Sequence, residues 1–307
     1  MAQLSHTRIT ILTALAGNTA IAILKFAAAW WTGSSAMLSE AFHSTVDTFN
    51  EILLLYGQHR SDKPADAKHP LGYGRELYFW SFIVALFIFA TGAGVSLYEG
   101  IARVLNPAPI ETPFVAYGVL GLSFLFEGAS WGVAWRNFLR TKGEAGLWAA
   151  VRESKNPPDF IVLFEDSAAI AGLAIAVAGT LLSAGFGYER ADGFASIGIA
   201  AVLAVTAAVL ARESKGLLIG EPASAETAAA IRAIAARHPA IDRLNGVVTI
   251  HLAPDEIMVA LNADFVDWVS AGDVERAVAE MQDEIRAKVP TAAIVYITPR
   301  ARPAKAG

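Results

Sequence analysis

Long apolar runs constrain this chain more than any other feature, because a run of about 20 residues can span a bilayer as a helix. Six such runs precede residue 212, at roughly 9–31, 34–57, 78–100, 113–136, 161–186 and 190–211. Two stretches, Tyr78 to Tyr98 and Ser167 to Tyr188, contain no charged residue. Because 54% of the residues are hydrophobic and only 17% are charged, an ordinary soluble protein is excluded. We predict an all-α domain of six transmembrane helices.

The basic residues between the runs predict the orientation. One side of the membrane would carry only Arg103 and Arg190. The other side would carry most of the lysines and arginines: Arg8, Arg60, Lys63, Lys68, Arg75, Arg136, Arg140, Lys142, Arg152, Lys155, Arg212 and Lys215. The positive-inside rule makes this second side cytoplasmic. We therefore expect a multi-pass protein of the cell (inner) membrane with both termini in the cytoplasm.

After Arg212 the composition becomes that of a small soluble domain, with charges mixed among apolar residues. The patterns predict two helices and three strands, in the order Ala225–Arg237 (N-cap Ser224), Leu244–Leu252, Glu256–Phe265, Ser270–Lys288 and Ala293–Ile297. This αββαβ order is that of a ferredoxin-like α+β domain, one sheet covered by two helices. We predict a transmembrane domain at 1–212 and a cytoplasmic α+β dimerisation domain at 213–307. The segment Thr141–Asp159, which contains Asn156-Pro157-Pro158, is predicted to be a partly ordered connection.

The second run contains a polar stripe that a lipid-facing helix would not carry. Glu40, His43, Asp47 and Glu51 follow one another at steps of three, four and four residues, so they share one helix face. His43 and Asp47 would lie about 6 Å apart along the axis, close enough to hold one cation. Ionisable groups at membrane depth usually face the bundle interior and mark an ion or proton path.

The fifth run opens with a second acidic pair, Glu165 and Asp166. Imidazole and carboxylates together suit zinc, and also manganese, iron or cobalt. Because only neutral His43 binds metal, protons and metal would compete for one site, and that competition is the physical basis of an exchanger.

Other polar residues in the runs have simpler interpretations. Glu127 in the fourth run is either a third functional acid or a hydrogen-bond partner of a neighbouring helix. Glu40 and Glu51 are expected near helix ends in water. Lys25 in the first run is expected to extend its ammonium towards an interface.

Several motifs together make the chain resemble the cation diffusion facilitator family of metal transporters. They are Lys25-Phe26 with Trp30-Trp31-Thr32-Gly33-Ser34, His43-x-x-x-Asp47, Pro64-Ala65-Asp66-x-x-His69-Pro70-x-Gly72-x-Gly74-Arg75, and the closing α+β domain. The resemblance covers nearly the whole length. It implies a homodimer that exports a divalent metal, usually zinc, in exchange for protons. It also implies no permanent cofactor and no enzymatic activity.

The resemblance assigns candidate metal ligands residue by residue. The family takes two ligands from the second span, which match His43 and Asp47. It takes two more from a histidine-x-x-x-aspartate pattern in the fifth span, where Asp166 matches but Val162 replaces the histidine. Glu165 is then the candidate for the fourth ligand, and the chain resembles the branch of the family that lacks this histidine.

Peripheral metal sites of the family are matched less well. Asp66 and His69 match one such site, but Tyr73 stands where its second histidine is found. The final strand carries Tyr296 and Thr298 at positions where zinc-binding members have histidine and aspartate. His238 and His251 are separated by a turn and two element ends. We therefore expect no paired metal site in the cytoplasmic domain.

Two other functions remain open at this point. The oxygen-rich ligand set favours export of manganese or iron as an alternative to zinc. A membrane metalloenzyme would use the same acids to activate water, although no HExxH-type motif is present. The absence of cysteine excludes thiolate metal sites, and the net charge of -5 argues against nucleic acid as a partner.

Overall fold

The computed structural model describes residues 18–110, 112–141, 146, 150–151 and 154–301. The start of the first predicted span, residues 9–17, lies outside these ranges, as do Arg8, Lys142 and Arg152 of the charge pattern. The first part of the chain is helical: α1 at 18–32, α2 at Ser35–Ser61, α3 at Glu76–Leu105, α4 at Pro113–Thr141, α5 at Pro157–Gly185 and α6 at Arg190–Ile219.

Four of these helices, α3 to α6, are long and apolar enough to cross a membrane. Helix α2 is also long, at 27 residues, but its polar stripe gives it a much lower apolar content. Both α3 and α5 contain a π-helical turn, at Ile88–Ala93 and Leu181–Gly185. Such turns insert an extra residue without ending the helix.

The connection before α5 is shorter than predicted. Pro157 and Pro158 do not belong to a loop, because they form the first turn of α5 after Asn156 as its N-cap. Proline is well suited to this position, since its missing N–H has no helical partner there and its φ angle already fits the helix. The prolines therefore place the beginning of α5 about one turn before Ile161, where the apolar pattern begins.

Helices α3 and α6 cross in close backbone contact at Gly100 and Gly193. A Cβ at Gly193 would lie 2.9 Å from the carbonyl oxygen of Gly100, and a Cβ at Gly100 would lie 2.9 Å from that of Gly193. Larger side chains at this crossing would separate the helices. The close approach brings Asp192 of α6 and Arg103 of α3 within 3.5 Å of each other, between Oδ2 and Nε.

The beginning of α2 is held by a side chain from α6. Fully buried Asp192 accepts hydrogen bonds from Ser34 Oγ (2.5 Å), Ser35 N (2.6 Å), Ser35 Oγ (2.9 Å) and Ala36 N (3.4 Å). The first N–H groups of a helix lack partners within the helix, and a carboxylate is favoured there by the helix dipole. Asp192 therefore fixes the end of α2 from which the polar stripe begins.

The described chain divides into two compact units, and the second contains more than the C-terminal residues. One unit comprises the chain up to His59 and Tyr78–Lys215, and the other comprises Arg60–Leu77 and the chain from Gly216 onwards. Within the second unit, a Cβ on Gly74 would lie 2.6 Å from the carbonyl oxygen of Leu252. The segment after α2 therefore packs on the C-terminal sheet, a contact that the sequence patterns do not predict.

The C-terminal elements have the predicted αββαβ order. They are α7 at Ala225–Arg237, β1 at Ile241–Ala253, β2 at Glu256–Phe265, α8 at Ala271–Lys288 and β3 at Ala292–Pro299. The sheet order is β1-β2-β3, antiparallel between β1 and β2 and parallel between β2 and β3. Strand β1 begins three residues earlier than predicted, since Ile241 pairs with Phe265. The core is formed by apolar residues of both helices with β2 and β3, including Ile231, Ile234, Val259, Met281, Ile285 and Val295.

A capping box defines the beginning of α8. The Ser270 hydroxyl accepts the N–H of Asp273, and Asp273 accepts the N–H of Ser270. We expect Ser270→Ala to destabilise this end by about 1 kcal/mol, because it removes one partner of the cap. In the full-length protein, amide exchange in the first turn of α8 should accelerate about fivefold. Ser270→Asp, which keeps a capping oxygen, is the control. Equal exchange rates in the alanine variant and the wild type would contradict this prediction.

Candidate functional site

The polar stripe of α2 points inwards at its centre. His43 is 1% exposed, and the Asp47 side chain is 21% exposed. Nδ1 of His43 lies 3.6 Å from Oδ1 of Asp47, the proximity that their four-residue spacing predicts. Thr45 and Thr48, on other faces of the helix, turn their hydroxyls back onto the carbonyls of Ala41 and Ser44. His43 and Asp47 therefore face the interior together.

Several ligand-type atoms of this stripe are buried without a hydrogen-bond partner. Within the part of the chain that the structure describes, they are Oε1 of Glu40, both ring nitrogens of His43, Oδ1 of Asp47 and, on the same face, Oδ1 of Asn50. Buried polar atoms normally have partners, because leaving one unsatisfied costs about 1–3 kcal/mol. A concentration of free nitrogen and oxygen atoms on one helix face is the arrangement expected of a site that receives a cation.

The acidic pair of α5 lies across from this stripe. Glu165 is buried and accepts a short hydrogen bond from the side-chain amide of Asn50. Asp166 is half-buried and accepts a 2.9 Å hydrogen bond from Ser130 Oγ of α4. Asp47 interacts electrostatically with both Glu165 and Asp166. The acids of α2 and α5 therefore share one region of the bundle.

The four predicted ligands are brought near one another but are not arranged around a common point. Across the described ranges, no three histidine, aspartate or glutamate side chains converge closely enough to hold a metal ion. Val162, at the position of the missing histidine, carries an apolar side chain that is 36% exposed. The geometry is therefore that of an open ligand set, in which Asn50 holds Glu165 and Ser130 holds Asp166.

Sequence reasoning missed Asn50 and Ser130. Asn50 lies three residues after Asp47, so the helical periodicity that selected His43 and Asp47 also places Asn50 on the same face. That signal was available. Ser130 had no such signal, because its role depends on α4 packing along α5, which brings it to Asp166 from 36 positions away.

Two expectations about the polar residues of α1 and α2 were wrong. Lys25 does not extend to an interface: its side chain is completely buried and bonds Glu40 and Glu127. Glu40 does not lie in water at a helix end, because it too is completely buried. Glu51 is half-buried and accepts a 2.9 Å hydrogen bond from Nδ2 of Asn18. Each of these side chains is held away from water by a hydrogen-bond partner on another helix.

The loop after α2 has its own polar cluster. Tyr73 donates its hydroxyl to Oδ2 of Asp66 at 2.8 Å, and this hydrogen bond lowers the pKa of Asp66. The rings of His69 and Tyr73 pack with centroids 4.2 Å apart. In the C-terminal unit, Nε2 of His238 lies 3.2 Å from Oε2 of Glu280, and Nδ1 of His251 lies 3.2 Å from the carbonyl oxygen of Ala253.

Comparison with known proteins identifies the family. The family model for the cation efflux transmembrane domain matches residues 11–219. The mitochondrial proton-coupled zinc antiporter SLC30A9 of Xenopus laevis is 33% identical over 258 residues, 83% of this chain and 45% of that protein. Its human counterpart is 31% identical over 275 residues, 89% of this chain and 48% of the human protein.

A plant protein is similar over a shorter range. Metal tolerance protein C4 of Arabidopsis thaliana is 35% identical over 218 residues, which are 70% of this chain and 48% of the plant protein. The chain thus spans about half the length of the curated relatives it matches. Since the family model covers most of the chain, the chain belongs to the cation efflux family, the cation diffusion facilitators, whose members are transporters and not enzymes.

Proposed function

We propose that this protein exports a divalent metal cation across a membrane in exchange for protons, with zinc as the first candidate. The observation that carries the proposal is a set of buried nitrogen and oxygen atoms of His43 and Asp47, opposite the acids of α5, that have no hydrogen-bond partner among the described residues. Membership of the cation efflux family and the names of the zinc-antiporter relatives support it. The metalloenzyme alternative is set aside because the family consists of transporters.

The proposed metal ligands are His43, Asp47, Asp166 and Glu165. In the described arrangement Glu165 is engaged by Asn50 and Asp166 by Ser130. For both acids to reach one ion, α2 and α5 would shift relative to each other and these hydrogen bonds would exchange for bonds to the metal. Asn50 and Ser130 would then act as resting partners that keep the carboxylates satisfied in the absence of cargo.

Proton exchange follows from the chemistry of the same groups. A metal-binding imidazole must be neutral and a metal-binding carboxylate must be ionised, so metal entry displaces protons from the site. Protons arriving from the opposite side would expel the metal. This competition couples the two fluxes without any further group.

The proposal also covers the organisation of the whole protein. It comprises six membrane spans with both termini in the cytoplasm, in the inner membrane, within a domain at 1–212. A cytoplasmic domain at 213–307 serves mainly in homodimerisation. The unequal distribution of lysine and arginine supports the orientation.

Export of manganese or iron is the second candidate, because three of the four proposed ligands are carboxylates. Oxygen ligands suit manganese better than zinc, whereas imidazole suits zinc and iron. Having one imidazole rather than two would therefore broaden the choice of metal towards harder cations.

Transport by purified protein in liposomes provides the test. With acidic liposome interiors and a metal-sensitive dye inside, we expect Zn²⁺ to accumulate and interior protons to leave. Nigericin, which dissipates the proton gradient, should stop the accumulation. Parallel assays with Mn²⁺, Fe²⁺ and Co²⁺ rank the cargoes. Absence of gradient-driven movement of all four metals, compared with protein-free liposomes, would contradict the proposed function.

A further inference from the structure

Lys25 places a positive charge inside the helical bundle. Its side chain is completely buried, and Nζ donates to Oε2 of Glu40 (3.1 Å), Oγ of Ser44 (2.8 Å) and Oε1 of Glu127 (2.6 Å). An ammonium has three donors, and all three are used here. Residues of α2 and α4 thus surround one cation, the side-chain ammonium of Lys25 on α1.

The surrounding oxygen atoms are not fully satisfied by Lys25. Oε1 of Glu40 and Oε2 of Glu127 are buried and have no hydrogen-bond partner among the described residues. With both carboxyl groups ionised, two carboxylates face one ammonium, and the cluster is one positive charge short of neutrality. Carboxylate and hydroxyl oxygens of this kind are the donors that hard divalent cations such as Mn²⁺ prefer.

A glycine on α5 makes room for this cluster. A Cβ at Gly172 would overlap Oε1 of Glu40. The helix that carries Glu165 and Asp166 therefore also lies directly against Glu40, and four helices shape the space around Nζ. The cluster lies close enough to the candidate transport site for Lys25 to interact electrostatically with His43 and Asp47.

We propose that Glu40, Ser44 and Glu127 form a second cation site that the Lys25 ammonium occupies permanently. A divalent ion entering the bundle would otherwise meet two acidic sites, one at Glu40 and Glu127 and the other at His43 and Asp47. By filling the first, Lys25 restricts the metal to the second. That Lys25 occupies this site follows from the geometry alone. The effect of Lys25 on the path of the transported metal rests on the proposed function.

Removing the tethered cation provides the test. Lys25→Met keeps an unbranched side chain as far as Cε but removes the ammonium from the site. The purified full-length variant should therefore bind about one Mn²⁺ per chain more than the wild type, in a site of oxygen donors. The electron paramagnetic resonance signal of free Mn²⁺ counts the bound ions. In the matched control, Lys25→Met with Glu127→Gln, the charge of the cluster returns to its wild-type value and the additional ion should be absent.

Each outcome either supports or overturns the proposal that Glu40, Ser44 and Glu127 form a cation site. Equal Mn²⁺ binding by folded Lys25→Met and wild type would overturn the proposal. If Lys25→Met fails to fold in the absence of metal, Mn²⁺ at millimolar concentration should restore folding by replacing the ammonium, and failure in both conditions also counts against it. The count of bound Mn²⁺ does not require transport. It therefore tests the cation site even if the liposome assay contradicts the proposed function.

Discussion

Replacing Asp47 by asparagine should abolish metal transport while leaving the protein folded. Even partners that merely orient a metal ligand typically change metal affinity by about 10- to 100-fold, so loss of a ligand charge should reduce transport by at least about 100-fold. Oδ1 of Asp47 has no hydrogen-bond partner within the described ranges, so the substitution breaks no bond there. The effect of this substitution on transport can therefore be measured separately from its effect on folding.

The expected stability of this variant has an electrostatic reason. Asp47 interacts with the carboxylates of Glu165, Glu127 and Asp166, which are like charges, and with the single positive charge of Lys25. Replacing Asp47 by asparagine removes more repulsion, from the three carboxylates, than attraction, from Lys25. We therefore expect the melting temperature in detergent to stay the same or rise, because like charges in a buried region are mutually destabilising.

Liposome transport and thermal unfolding of the same preparation measure both effects. Asp159→Asn, at an exposed position in the first turn of α5, is the matched control and should transport normally. His43→Ala should also lose transport, since both ring nitrogens of His43 are free in the described structure. Transport at wild-type rates by both the Asp47 and the His43 variants would rule out this ligand pair.

Asp192→Ala should be the most destabilising substitution in the helical unit. It removes the acceptor of four hydrogen bonds at the beginning of α2 and the partner of Arg103. Removing one partner of a buried ion pair typically costs about 3–5 kcal/mol, because the other charge remains buried and uncompensated. For a chain of this size that corresponds to a fall in melting temperature on the order of 10 °C.

The consequence should extend to the proposed transport site, since Asp192 holds the helix that carries His43 and Asp47. Thermal unfolding in detergent measures the loss of stability. Asp192→Asn keeps one acceptor oxygen and should lose less, and Glu189→Ala, at a partly exposed position just before α6, should lose nothing measurable. A melting temperature of Asp192→Ala within experimental error of the wild type would show that this carboxylate does not stabilise α2.

The local structure followed from local patterns. The polar stripe of α2, the capped helix at Ala225–Arg237 and the strand at Glu256–Phe265 were all predicted, because helix and strand periodicities are properties of short windows. Two predictions were wrong: Pro157 was placed in a loop, and β1 was predicted to begin three residues after Ile241. Proline signals a loop in general but favours the first turn of a helix, and the extension of β1 depends on its pairing with β2.

The sequence by itself determined the helices, the αββαβ order, the family and the candidate ligands His43, Asp47, Asp166 and Glu165. Only the tertiary structure decided which charges meet. Three hydrogen bonds join residues that are far apart in the sequence. They link Lys25 to Glu127 over 102 positions, Asn50 to Glu165 over 115, and Ser35 to Asp192 over 157. Periodicity reports which face a residue occupies but not which face of another helix lies opposite. In a bundle of apolar helices that choice is made by side-chain packing and by the high cost of leaving a buried charge unpaired.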